Sequence, residues 1–161
     1  MKELKRWATL NKVFLIGIGL MVFFAWMDSR QIISFFEINT EQGWDLYNTY
    51  TGPAIWLTWY VVLGVIGLIW YVISKDKSEA LALTIALSIM LFFGAQDVLF
   101  FHFAGTPMTD NMCWADVMLP IQKISDFLGE PCPTALSFTL SGVIGVIIAF
   151  FVFNKLKRSK W

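Results

Sequence analysis

Between Pro53 and Ser74 the chain reads PAIWLTWYVVLGVIGLIWYVIS, and none of these side chains carries a charge. A helix needs ~20 predominantly apolar residues to cross ~30 Å of hydrocarbon. This stretch supplies them, so the chain reads as an integral membrane protein. Pro53 suits the first turn of such a helix, where its missing N–H leaves no bond unmade. Trp56, Trp59 and Tyr60 near one end, with Trp70 and Tyr71 near the other, occupy the positions of interfacial anchors.

Outward from this segment, three others meet the same requirement. The first covers about 10–27, with Lys12 able to snorkel to the interface. The third covers about 80–104 and contains Asp97. The fourth covers about 134–154, with Thr134 after Pro133 suited to an N-cap. The first segment has a basic start and an apolar middle, but Phe24-Ala25-Trp26-Met27-Asp28 is not a small-x-small cleavage site. It therefore reads as a retained span and not a signal peptide. Two long loops, about 28–52 and 105–133, join the spans on one side, and a short connection from Lys75 to Glu79 joins the second and third on the other. The expected fold class is an all-α integral membrane protein: one domain over 1–161, forming a four-transmembrane-helix antiparallel bundle.

Composition agrees with this reading. Of the 161 residues, 57% are hydrophobic and only 15% charged, against about 25% charged in ordinary globular domains. Mean hydropathy is +0.64. Net charge is zero, which leaves no global basic field for nucleic acid to follow. The zero conceals a strong asymmetry. Lys2, Lys5, Arg6, Lys12, Lys75, Lys77, Lys155, Lys157, Arg158 and Lys160 fall on one side of the spans, and only Arg30 and Lys123 on the other. Basic segments stay in the cytoplasm, so both termini are expected there, in a plasma membrane. The acids sort oppositely: Asp28, Glu37, Glu41, Asp45, Asp110, Asp116, Asp126 and Glu130 fall in the outer loops.

The first outer loop carries an apolar run, Ile32 to Phe36, that either continues helix one or lies on the surface, before a turn around Asn39 to Gly43. In the second, Trp114, Val117, Met118, Ile121, Ile124 and Leu128 follow helical spacing. Pro120 favours a helix beginning there and Gly129 is placed to end it. Such a helix would lie on the membrane surface or cap the bundle. Cys113 and Cys132 share this loop. On the oxidising side of a prokaryotic plasma membrane they would form a structural disulfide, closing about 20 residues and contributing on the order of 3 kcal/mol. A redox-active pair, or free or metal-binding thiols, are the alternatives.

Inside the spans, Ser137, Ser141, Gly145 and Ala149 form a small-residue stripe at four-residue spacing, the pattern that lets helices approach closely in lipid. It serves packing within the bundle or contact with a membrane protein partner or a second copy. Asp97 is the ionisable residue clearly inside a predicted span, and such a residue is a functional-site hypothesis by default. It lies about seven residues from the outer end, roughly 10 Å deep at 1.5 Å per residue. It would either pair with Arg30 or Lys123, or build a metal or proton site with His102 and the loop acids Asp110, Asp116 or Glu37. Residues five apart on a regular helix point ~140° apart, so Asp97 and His102 share a site only if the helix breaks between them or other segments contribute.

No CxxC, HExxH, P-loop, GxGxxG or GxSxG occurs. With its four predicted spans, inner termini and outer-loop cysteines, the chain resembles superficially the quinone-linked membrane oxidoreductases that make disulfides. Those carry a CxxC near the outer end of a helix and this chain does not, so no functional residue is transferred from them. Three function classes remain. The leading expectation is a non-catalytic accessory, scaffold or assembly subunit in the lipid bilayer. The others are a membrane-embedded enzyme or metal/redox protein acting at the outer face around Asp97 and His102, and a small transporter or channel. The sequence leaves the cofactor open.

Overall fold

The structure, a computed structural model, describes residues 11–36, 52–105, 108, 112–113, 115 and 118–158. All regular elements among the described residues are helices: α1 Lys12–Phe36, α2 Gly52–Ser74, α3 Lys77–Phe92, α4 Ala95–Ala104, α5 Leu119–Leu128 and α6 Ala135–Arg158. Segments of α1, α2 and α6 are each long and apolar enough to cross a membrane. The pair α3 and α4 qualifies as a fourth span only if the two are taken together across a 62° bend.

One boundary settles an alternative left open by the sequence, and one differs from expectation. Of the two alternatives for the run from Ile32 to Phe36, continuation of helix one is the one found: α1 runs to Phe36, with no glycine or proline after Gly19 in it. Asp28 and Arg30 therefore lie on a helix and not in a loop. The expected third span, 80–104, is not one helix, because α3 stops at Phe92 and α4 starts at Ala95.

Helix α3 is central and packs against α1, α2, α4 and α6, whereas α2 packs mainly on α3. One apolar cluster joins Val13 and Phe14 of α1, Leu83 and Leu87 of α3, and Ala149 and Phe153 of α6. The outward side of α2, including Leu57, Val61, Leu68 and Val72, is exposed, as expected of a peripheral helix in lipid. The turn from α2 to α3 is tight. Lys75 takes a left-handed backbone (φ 57°), and the Asp76 side chain caps α3 by accepting from the Glu79 N–H at 3.0 Å.

Glu79 then ties three helices at this end. Its Oε2 accepts from the Trp70 indole N–H of α2 at 3.1 Å, and its Oε1 pairs with Lys157 Nζ of α6 at 2.8 Å. Glu79 is mostly buried, so truncation removes both contacts from a largely desolvated site. Glu79→Ala is expected to destabilise the detergent-solubilised protein by about 2 kcal/mol, the loss of a charge-assisted contact and an indole hydrogen bond. A melting curve that matches the native chain would refute this role.

The segment that carries α5 folds back over the bend. Helix α5 begins with Pro120 in its first turn and ends at Gly129, in a left-handed conformation (φ 72°). Ile121 of α5 is buried with Met112, Ala115 and Met118 against Phe100 and Phe101 of α4 and Phe138 of α6. Of the two positions open to this helix, the buried side therefore covers the neighbouring helices, while Phe127 points outward at 88% exposure.

A candidate acidic centre at the turn from α3 to α4

The break is built from one glycine and its neighbours. Phe93 N–H donates to the Ile89 carbonyl and Gly94 N–H to the Leu91 carbonyl, closing the last turn of α3. Gly94 then turns left-handed (φ 76°), and its carbonyl accepts from Val98 N–H to start α4. A Cβ on Gly94 would stand 3.0 Å from Ile121 Cδ1 and 3.1 Å from Phe138 Cε1. Both the backbone conformation and the space thus demand glycine here.

The small-residue stripe of α6 receives this bend. Ser137, Ser141, Gly145 and Ala149 are all buried, and a Cβ on Gly145 would run into the Cβ of Phe93. The stripe therefore makes a close contact inside the chain, where the α3–α4 corner presses on α6.

Restarting the helix at Ala95 places Gln96 and Asp97 in the first turn of α4, where free backbone N–H groups favour negative charge. Gln96 is 3% exposed. Its Nε2 donates to Asp28 Oδ2 of α1 at 3.3 Å, and its Oε1 is buried without a hydrogen-bond partner among the described residues. Asp97 Oδ2 is likewise shut from solvent and unpartnered among the described residues, and its carboxylate lies within electrostatic range of Asp28. The Trp59 indole of α2 hydrogen-bonds Asp28 and packs edge-on to Phe24 at 5.5 Å. Two carboxylates and an amide, from α1 and the start of α4, thus converge at the turn from α3 to α4, with the Trp59 indole of α2 beside them. Among the described residues, neither acid takes part in an ion pair. Lys123 pairs with Asp126 at 3.5 Å on the surface, and Arg30 is exposed.

His102 lies farther along α4 and is exposed, its ring 5.5 Å from that of Phe103. The structure does not gather it with Asp97 in a described cluster. Asp110, Asp116 and Glu37 lie outside the described residues. Among the described residues no group of three or more His, Cys, Asp or Glu side chains is placed to hold a metal ion.

Cys113 and Cys132 are joined as a disulfide, with a Cα–Cα distance of 4.8 Å across a separation of 19 residues. Beside it, Met112 N–H donates to the Pro133 carbonyl at 2.8 Å. Thr134 caps α6 through its Oγ1, which accepts from Leu136 and Ser137 N–H and donates to Glu130 Oε1 at 2.8 Å.

Read from the sequence alone, Asp28 falls among the loop acids and Trp59 among the interfacial anchors. The signal that could have moved Asp28 into the site is the unbroken helical run beyond Met27. Comparison of the chain with family models, curated proteins and solved structures finds no match.

Proposed function

We propose that this is a multi-pass plasma-membrane protein, four spans with both termini cytoplasmic, that binds a proton or a monovalent cation between Asp28 and Asp97 near its outer face. The observation that carries the reading is the Asp97 carboxylate, buried and unpartnered on one oxygen, beside a second acid where the span breaks. Two carboxylates in one low-dielectric site need a proton or a cation between them. Intramembrane acids that face inward, and discontinuous helices, are the features by which membrane proteins build proton and ion sites. The lysine and arginine asymmetry supports the orientation, as does a disulfide in the segment assigned to the oxidising side.

The test is Asp97→Asn, with Asp28→Asn beside it, in proteoliposomes. The native chain should take up protons or a monovalent cation, with infrared spectroscopy reporting the carboxyl that carries the charge. Asp97→Asn should abolish uptake while keeping or raising the melting temperature, because it removes an unneutralised acid from the interior. Uptake that persists in both variants, or its absence from the native protein, would refute the reading.

A second reading is favoured by one observation, the broad exposed apolar side of α2. As a non-catalytic accessory or scaffold subunit, the protein would offer that side to a membrane partner. Native mass spectrometry from mild detergent separates the two readings: a stable heteromeric complex unaffected by Asp97→Asn supports the scaffold.

A further inference from the structure

The two acids of the centre are not equivalent, and Gln96 separates them. Asp28 accepts from two donors on neighbouring elements, the Gln96 amide at 3.3 Å and the Trp59 indole. Asp97 accepts from its own backbone N–H, while its Oδ2 is buried with no donor among the described residues. Gln96, 3% exposed, is held by its bond to Asp28, and its Oε1 is a second buried acceptor with no donor among the described residues. We infer that the ion bound here is a proton, that it resides on Asp97 Oδ2 and that Asp28 stays ionised, an assignment that rests on the proposed proton or cation site and names its occupant.

The balance of donors and acceptors selects the proton. A carboxylate that accepts hydrogen bonds can stay charged in the interior, whereas one left without them is costly to bury. A proton on Oδ2 neutralises Asp97 and turns a stranded acceptor into a donor. Gln96 Oε1, in the same helical turn, is an acceptor in need of one. A metal ion asks for more: hard cations held by oxygen take about six ligands, and the centre offers two unpartnered side-chain oxygens among the described residues. The surroundings add no competing charge. Between Lys12 and Asp28 α1 carries no titratable side chain, nor does α3 after Glu79 or α6 before Lys155. Lys123 and Asp126 of α5 pair with each other, and Glu130 accepts from Thr134. Arg30 of α1, Tyr60 of α2 and His102 of α4 are exposed.

The test uses the full chain in proteoliposomes, with a pH-sensitive dye following proton uptake and infrared difference spectra reporting the carboxyl groups. Both are recorded in choline, sodium and potassium salts. The native protein should take up protons to the same extent in all three, and its spectrum should contain a protonated-carboxyl band. Asp97→Asn should remove that band and Asp28→Asn should retain it, with melting curves showing that each variant is folded. Gln96→Leu keeps both acids and should shift the frequency of the band, because the carboxyl loses its hydrogen-bonded neighbour. Uptake that requires sodium or potassium would overturn the assignment while leaving a cation site in place, and this arm needs no variant. A band lost in Asp28→Asn and kept in Asp97→Asn would overturn it as well. Absence of both proton and cation uptake from the native protein would remove the underlying site along with the assignment.

Discussion

Gly94→Val should destabilise the protein by about 3 kcal/mol or more and disturb the acidic centre at the same time. Two costs combine. A left-handed backbone costs a residue with a Cβ roughly 1–2 kcal/mol, and a β-branched side chain is the least tolerant of it. Overpacking a filled site adds about 1–3 kcal/mol, and the site is filled: Ile121 and Phe138 stand at 3.0–3.1 Å from where the Cβ would be. Gly129 provides the internal control. It has the same left-handed conformation (φ 72°) with nothing within 4 Å of its Cβ position, so Gly129→Ala should cost only the backbone part, about 1 kcal/mol. The measurement is reversible unfolding in mixed micelles for both variants. Equal costs at the two positions would mean that Ile121 and Phe138 do not close over the break. Because Gly94 also sets the direction of α4, Gly94→Val should impair the proposed proton or cation uptake, whereas Gly129→Ala should leave it intact.

Much of this architecture was legible because membrane spans follow from simple counts. The uncharged run before Ser74 and the apolar run after Thr134 leave few alternatives, and the helices found there differ from expectation by only a few residues. Pro120 and Gly129 marked α5 through backbone constraints that hold in any fold. The break at Gly94 was not legible in this way. A glycine inside an apolar run is common in membrane helices, and Gly17, Gly64, Gly67 and Gly145 all lie within unbroken helices of the same protein. What distinguishes Gly94 is tertiary: Phe93 fills the space left by Gly145, and Ile121 and Phe138 crowd the position that a Cβ on Gly94 would take. The acidic centre was half legible for the same reason. Asp97 stands out in any hydropathy reading, but its company of Asp28, Gln96 and Trp59 depends on α1 continuing past Met27 and on the turn at Gly94.

Cys113→Ser with Cys132→Ser is expected to cost about 3 kcal/mol on the chain-entropy account of a crosslink closing about 20 residues. The location of the bond gives the loss a specific shape. The linked segment carries Ala115, Met118 and Ile121, which with Met112 just before it are the buried residues that cover Phe100, Phe101 and Phe138. Ile121 is also one of the two side chains that crowd Gly94. Releasing the segment frees that volume, so the crosslink and the break are coupled through a shared contact. With the cysteines replaced, Gly94→Val should cost about 1 kcal/mol less than in the crosslinked chain, a coupling of the size seen for residues in contact. A double-mutant cycle on unfolding free energies measures this directly, with non-reducing gel mobility confirming the crosslink in the starting protein. Strict additivity would show that the covering segment holds its position without the disulfide. Coupling would show that the Cys113–Cys132 crosslink helps hold the bend that brings Asp97 toward Asp28.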